Sequence, residues 1–184
     1  MIRLFASDMD GTLLNSSGFV SKYTADMIHR LQRCGIEFIV NTGREYQSAK
    51  DALDAAGISC DMICYSGACT YDRYGNPSNI ASLPKSIAKK ILEIFERHGA
   101  FADISTESGK TSIADPEQFL RYYREEVDPA LVKEQKVYFR TEKEFQKMAS
   151  AVQYFENADS LLETPIPVYK ISTTFCNEEK TARL

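Results

Sequence analysis

The stretch Ile2-Arg3-Leu4-Phe5-Ala6-Ser7, followed at once by Asp8-Met9-Asp10-Gly11-Thr12-Leu13-Leu14, decides the fold class of this chain. Its first half is typical of a short strand, and its second half turns polar at the point where that strand should end. Gly11 lets the backbone turn sharply after the two aspartates. In an open α/β sheet, ligands bind beyond the carboxyl ends of the strands, so Asp8 and Asp10 are candidate site residues.

Two more strands follow at short intervals. Ser21 can cap a helix that Gly35 ends, and residues 36–40 form a second, mostly apolar strand. A further helix to about residue 56 precedes a third apolar strand at 61–65. The order β-α-β-α-β with short connections predicts an α/β fold, with a parallel sheet and right-handed crossover helices.

The pattern changes after residue 67. Residues 68–83 indicate a hairpin that links two parts of the chain, so we expect a first domain over 1–83 and a second α+β domain over 84–184. In the second domain we expect helices at 84–98 and 116–126 and a helix that starts from the capping box 141–144 and includes Phe155. The predicted strands lie on either side of 108–109, at 137–140 and at 168–175.

Composition excludes several classes of protein. The 184 residues carry a net charge of −4, whereas a nucleic-acid binder usually shows a basic stripe. No apolar run approaches the length of a membrane span, and no signal-peptide pattern is present, so we expect a cytoplasmic protein without a membrane partner. The five cysteines lack any zinc-like spacing and are expected to be reduced thiols on or near buried strands.

Asp8 and Asp10 suit the chemistry of phosphate esters. Side chains alternate along an extended chain, so both carboxylates should point to the same side. One carboxylate can attack phosphorus, and the other can donate a proton to the leaving oxygen and later take one from water. A hard cation suits the same oxygens. The alternative is a polar end of a strand that carries two surface aspartates.

A second polar turn, Asn41-Thr42-Gly43-Arg44, follows the second strand. Thr42 offers a hydroxyl donor, and the amides of Gly43 and Arg44 are expected at a helix N-terminus, which attracts phosphate. The alternative is that Thr42 is only the N-cap of that helix. The turn should emerge at the same edge of the sheet as Asp8.

These two motifs resemble the first and second motifs of the haloacid dehalogenase superfamily, the second in the form used by Cof-type sugar-phosphate phosphatases. Ser66-Gly67-Ala68 is similar to the segment after the third strand of that class, where Asn more often precedes the Gly. The resemblance implies part of a Rossmann-like core with an inserted α/β cap, which would be the part from residue 84 onward. The cap would select the substrate.

The resemblance also implies roles for individual residues. Asp8 would be the nucleophile and a Mg²⁺ ligand, and Asp10 the general acid/base, with its backbone carbonyl on the same Mg²⁺. Thr42 and the Gly43 amide would bind the phosphoryl group, with Arg44 near the substrate. The second aspartate favours a phosphatase over a dehalogenase. The implied activity is hydrolysis of a small phosphorylated metabolite such as a sugar phosphate, through an aspartyl-phosphate.

The family's later motifs are not found in this sequence. A phosphate-binding Lys and a Gly-Asp-x-x-Asn-Asp stretch should follow the cap, but neither is recognisable. We therefore expect a truncated chain with an incomplete cap, poorly active by itself and prone to self-association through the incomplete core. Two other functions stay open at this point: a phosphomutase with the same nucleophile, and a non-catalytic fragment or module that only binds phosphate.

Overall fold

The computed structural model describes residues 2–133 and 140–175. The chain divides into two compact units, Met1–Ala81 and Ser82–Leu184. The predicted division at residues 83 and 84 falls close to this point, and the assignment of the two units to a core and a cap stays a prediction. No helix in the described part of the chain is both long enough and apolar enough to cross a membrane.

Residues 2–81 of the first unit form five strands and two α-helices. The strands are β1 (Leu4–Ser7), β2 (Glu37–Asn41), β3 (Asp61–Cys64), β4 (Cys69–Tyr71) and β5 (Pro77–Ser78), and the helices are α1 (Lys22–Arg33) and α2 (Tyr46–Asp54). They form one sheet in the order β1-β2-β3-β4-β5. β1, β2 and β3 run parallel, whereas β4 and β5 continue the sheet as an antiparallel hairpin. The predicted α/β class with a parallel sheet is therefore confirmed.

Local sequence signals explain the first crossover. The Ser21 hydroxyl accepts a hydrogen bond from the Thr24 amide at 3.1 Å, so the predicted cap of α1 is present. Ala25 and Ile28 form the buried face of this helix. In β2, Phe38 and Val40 are buried, as expected for a strand inside a parallel sheet. The helix thus returns the chain to place β2 beside β1.

In the second unit, residues 82–133 and 140–175 form a four-stranded sheet and five α-helices. Its strands are β6 (Asp103–Thr106), β7 (Gly109–Ser112), β8 (Gln153–Tyr154) and β9 (Val168–Ser172), and its helices are α3 (Lys85–Arg97), α4 (Pro116–Tyr122), α5 (Asp128–Lys133), α6 (Glu142–Ser150) and α7 (Ala158–Leu162). The strand order is β8-β7-β6-β9. One apolar cluster includes Ile104 of β6, and another is built around Phe119 of α4.

Two predictions for this unit were wrong in detail. The helix expected to end at residue 126 continues as a π-helical turn, Tyr123–Val127, and then as α5. Pro129, which lacks an N–H, is accommodated directly after that wider turn. The helix expected to include Phe155 ends at Ser150, and Gln153–Tyr154 pairs with β7 instead. Most of the strand predicted at 137–140 lies outside the described residues.

Candidate active site

The two predicted motifs follow neighbouring parallel strands. Ser7, the last residue of β1, is paired with Val40 of β2. Asp8 comes directly after β1, and Thr42 comes directly after β2. Because both strands run in the same direction, their carboxyl ends lie at one edge of the sheet. The polar turns after β1 and β2 are therefore adjacent.

The loop after β1 is a tight turn instead of an extended continuation of the strand. Asp10 (φ −75°, ψ 121°) and Gly11 (φ 74°, ψ 4°) have the angles of a type II turn, which needs a residue with positive φ at its third position. The Leu14 amide closes the loop by donating to the Met9 carbonyl at 2.9 Å. Met9 is fully buried, whereas Asp8 is exposed and Asp10 partly exposed. The buried Met9 anchors the loop and leaves both carboxylates on its accessible side.

Asp10 is engaged by a residue of the second motif. The Arg44 guanidinium donates through Nε to Asp10 Oδ2 at 2.9 Å and through Nη2 to Asp10 Oδ1 at 2.7 Å. This is the bidentate geometry of the stronger arginine–carboxylate pairs. By contrast, no group in residues 2–133 or 140–175 donates to the Asp8 carboxylate. The two aspartates therefore differ: Asp10 is held in place and Asp8 is accessible.

Thr42 is buried, with 2% of its surface exposed, and it does not cap α2. That helix begins at Tyr46 with Glu45 as its N-cap. The Thr42 hydroxyl instead accepts a hydrogen bond from the Arg44 amide at 3.1 Å. The alternative role as an N-cap is thus excluded, and the expectation that the Gly43 and Arg44 amides open the helix was wrong. The Thr42 hydroxyl still has its own proton to donate.

A third loop, after β3, supports the second motif. The Tyr65 amide donates to the Arg44 carbonyl at 2.9 Å, and the Ser66 amide donates to the Thr42 carbonyl at 3.1 Å. Tyr65 (φ 54°) and Ser66 (φ 58°) both adopt left-handed conformations that side-chain-bearing residues seldom use. Strained backbone of this kind is concentrated at functional sites. The role of this loop was not foreseen, although Ser66 at a place where Asn is common was a usable signal, since Asn tolerates that conformation.

Two buried thiols, Cys60 before β3 and Cys64 at its end, are not candidates for catalysis. Burial, with smaller contributions from Cys69 and Cys60, raises the pKa of Cys64 to about 12. Burial, followed by the nearby Asp61, raises the pKa of Cys60 to about 12 as well. Both thiols are therefore neutral near pH 7, and a neutral thiol is a poor nucleophile and metal ligand.

The donor atoms at the site match Mg²⁺ in type. Mg²⁺ takes oxygen ligands, commonly one or two carboxylates together with water and substrate phosphate. The accessible carboxylate of Asp8 and the backbone carbonyl of Asp10 are donors of this class. Over residues 2–133 and 140–175, no cluster of three or more His, Cys, Asp or Glu side chains is arranged to hold a metal ion. The first two motifs thus provide oxygen donors of the type that Mg²⁺ prefers.

A cavity of about 920 Å³ lies wholly in the second unit. Carboxylates dominate its charged lining, which comprises Glu93, Glu96, Glu125, Glu126, Glu156 and Asp159 against Lys89 and Arg121. Such a lining repels an anionic phosphate ester. The charge of this lining does not favour the cavity as a phosphate site, in spite of its size.

Comparison with known proteins agrees with the motifs and the fold. The family model described as haloacid dehalogenase-like hydrolase matches residues 5–182. Phosphatase YwpJ of Bacillus subtilis (strain 168) is 33% identical over 107 residues, which are 58% of this chain and 38% of that protein. HMP-PP phosphatase of Yersinia pestis (strain Pestoides F) is 34% identical over 92 residues, which are 50% of this chain and 34% of that protein.

Among solved structures, a haloacid dehalogenase-like hydrolase from B. subtilis superimposes with a TM-score of 0.79 at 26% sequence identity. The match covers 97% of this chain and 64% of that one. The chain spans only about a third of the length of the two curated relatives. Since the family model covers nearly all of its residues, this chain belongs to the haloacid dehalogenase-like hydrolases.

Proposed function

We propose that the protein is a Mg²⁺-dependent phosphatase of small phosphorylated metabolites, such as sugar phosphates, with Asp8 as its nucleophile. The observation that carries this proposal is the convergence of the loops after β1 and β2, where Arg44 joins Asp10 to Thr42. The names of the curated relatives support the reaction class, since both are called phosphatases. The second unit, as a cap, would select the substrate.

The difference between the two aspartates supports separate roles. Asp8, whose carboxylate is accessible, would attack phosphorus, and the bond from phosphorus to the leaving oxygen would break. Asp10, held in a fixed orientation, would give the leaving oxygen its proton. Water would then attack the aspartyl-phosphate and transfer a proton back to Asp10. Inorganic phosphate would leave, and the carboxylate of Asp8 would be restored.

Two residues of the second motif, Thr42 and Gly43, would bind the phosphoryl group. The Thr42 hydroxyl, which accepts from the Arg44 amide, has its proton free to donate to a phosphoryl oxygen. The Gly43 amide would be a second donor. When bound, Mg²⁺ would supply positive charge that offsets the repulsion between an anionic nucleophile and an anionic phosphate. The carboxylate of Asp8 and the carbonyl of Asp10 would hold it.

Replacement of the nucleophile tests this proposal. In the full-length protein, Asp8→Asn should abolish hydrolysis of a panel of phosphorylated sugars, because an amide cannot form the aspartyl-phosphate. Free phosphate would be measured in the presence of Mg²⁺. The matched control is Asp26→Asn, on the exposed side of α1, which should keep normal turnover. Retained turnover in Asp8→Asn would remove Asp8 from its proposed role.

The same assay separates the two alternative functions. Transfer of phosphate to a second sugar, without release of free phosphate, would identify a phosphomutase. Vanadate or phosphate binding without turnover of any substrate would identify a module that only binds phosphate.

A further inference from the structure

Arg44 was expected near the substrate, but its contacts indicate a different use of this side chain. The guanidinium presents one edge, formed by Nε and Nη2, to both oxygens of Asp10. An arginine that binds a phosphoryl group in the bidentate manner uses an edge of this kind. Here that edge is directed at a carboxylate of the protein.

The main chain of Arg44 is also fixed on both sides. Its amide donates to the Thr42 hydroxyl, and its carbonyl accepts from the Tyr65 amide. The ion pair itself is shielded, with 23% of the Arg44 side chain and 31% of the Asp10 side chain exposed. A partly shielded, bidentate pair is more persistent than an exposed one, because water competes less for its hydrogen bonds. Arg44 is therefore a rigid link from the loops after β2 and β3 to the loop after β1.

We infer that Arg44 is a positioning residue that acts through Asp10, and that it does not bind the phosphoryl group itself. Through its two hydrogen bonds it sets the orientation of the Asp10 carboxylate and the spacing between that carboxylate and Thr42. This inference rests on the proposed function, in which Asp10 exchanges a proton with the leaving oxygen. Displacement of a group in the site by about 1 Å can cost a hundredfold in rate, so such a link has a large effect on turnover.

A double-mutant cycle in the full-length protein tests the inference. Arg44→Met should lower kcat about tenfold to a hundredfold and leave KM within about threefold, because a positioning residue does not contact the substrate. Asp10→Asn should lower kcat at least as much. The double variant should be no slower than Asp10→Asn alone, because Arg44 has no effect once its partner is lost. Arg44→Lys, which keeps the charge, should restore part of the rate.

A phosphoryl-binding role of Arg44 would give a different result. If Arg44 binds the phosphoryl group, Arg44→Met should raise KM by more than about tenfold, and its effect should multiply with that of Asp10→Asn. That result would overturn the inference. Arg33→Met, which removes an exposed arginine of α1, is the matched control and should leave kcat and KM unchanged.

A second measurement keeps this test separate from that of the proposed function. Inorganic phosphate would be titrated against the wild-type protein and Arg44→Met in the presence of Mg²⁺. A change in affinity within about threefold supports the positioning role, and a loss of more than about tenfold overturns it. This readout needs no turnover. If Asp8→Asn keeps the turnover of the wild-type protein, the proposed function fails. If phosphate affinity falls more than about tenfold in Arg44→Met, the inference about Arg44 fails, so the two failures are distinguishable.

Discussion

At the scale of single residues, Gly11 determines the shape of the loop after β1. Its φ of 74° is unfavourable for any residue with a Cβ atom. We expect Gly11→Ala to lower the free energy of unfolding by about 1–2 kcal/mol and to reduce turnover, because the strained turn would displace Asp10. Urea denaturation of the chain would measure the first effect.

The neighbouring Thr12 provides the control for Gly11. It is exposed and does not have a positive φ. Thr12→Ala should therefore stay within about 0.5 kcal/mol of the wild-type stability. Equal losses for the two variants would contradict the assignment of the cost to backbone conformation.

Asp128 is an acidic residue whose side chain is fully buried. Its carboxylate accepts hydrogen bonds from the Arg140 amide at 3.0 Å and from the Arg140 guanidinium. Asp128→Ala removes the buried partner of that arginine and should lower the free energy of unfolding by about 3–5 kcal/mol. Thermal or urea unfolding would give the value.

The exposed pair of Lys89 and Asp159 is the comparison for this measurement. The side chains are 50% and 65% exposed, so the pair is screened by water. Asp159→Ala should cost no more than about 1 kcal/mol. If Asp128→Ala and Asp159→Ala lower the free energy of unfolding equally, burial does not control the strength of these ion pairs.

At the scale of elements, the sequence predicted most helices and strands because their signals are local. The Ser21 cap of α1 and the capping box from Thr141 to Glu144 are present as expected. The extent of the helix that begins at Pro116 was not predictable in the same way, since the π-helical turn before Pro129 depends on packing around Tyr123 and Val127. β8 has two residues, too few for a periodic pattern.

The site was predictable to a similar degree. Its place at the carboxyl ends of β1 and β2 follows from strand order and from motif spacing. The pairing of Arg44 with Asp10 joins residues that are distant in sequence, and no local pattern encodes it. Nor did the sequence indicate that α2 begins after Arg44 or that Ser66 donates to the Thr42 carbonyl. The catalytic and metal-binding roles of these residues stay predictions.

At the scale of the whole molecule, the buried thiols couple stability to pH. The pKa values of Cys60 and Cys64 are raised from 9.0 to about 12. The unfolded chain therefore loses these protons first, and stability should fall as pH rises from about 9 towards 12. Between pH 8 and pH 10 the free energy of unfolding should fall by about 3 kcal/mol from these two groups.

Urea titrations under reducing conditions at both pH values would measure this change. The double variant Cys60→Ala and Cys64→Ala should be less stable at pH 8, because it loses buried volume. Its free energy of unfolding should nevertheless decline less between pH 8 and pH 10 than that of the wild-type protein. A decline as steep as that of the wild type would assign the pH dependence to other groups.

The edge of the first sheet motivates a prediction about assembly. In the described part of the chain, β1 pairs only with β2. The Glu37 amide donates to the Arg3 carbonyl, so the backbone groups of alternate residues, Leu4 and Ala6, face the other way. Leu4 is 52% exposed and Phe5 48% exposed. An uncharged apolar edge of this kind favours pairing with another chain.

We therefore expect the 184-residue chain to self-associate as its concentration rises, as sedimentation velocity would show. Leu4→Lys should shift the distribution towards the monomer, because a charged side chain disfavours strand pairing at the edge. Lys22→Leu, a substitution at an exposed position of α1, is the control for a change in surface charge. A monomeric profile at all concentrations would contradict this expectation.

The parallel pairing of β1 with β2 also has a consequence for how the protein folds. Leu4 lies beside Glu37 in the sheet, although the whole of α1 separates them along the chain. Contacts between distant segments of this kind form slowly, because the chain entropy must be lost before the contact compensates for it. The edge of the sheet that carries Asp8 and Thr42 should therefore be assembled late, after α1 has acquired its native hydrogen bonds. Pulse-labelled hydrogen exchange should protect the amides of α1 before those of Thr42 and Arg44.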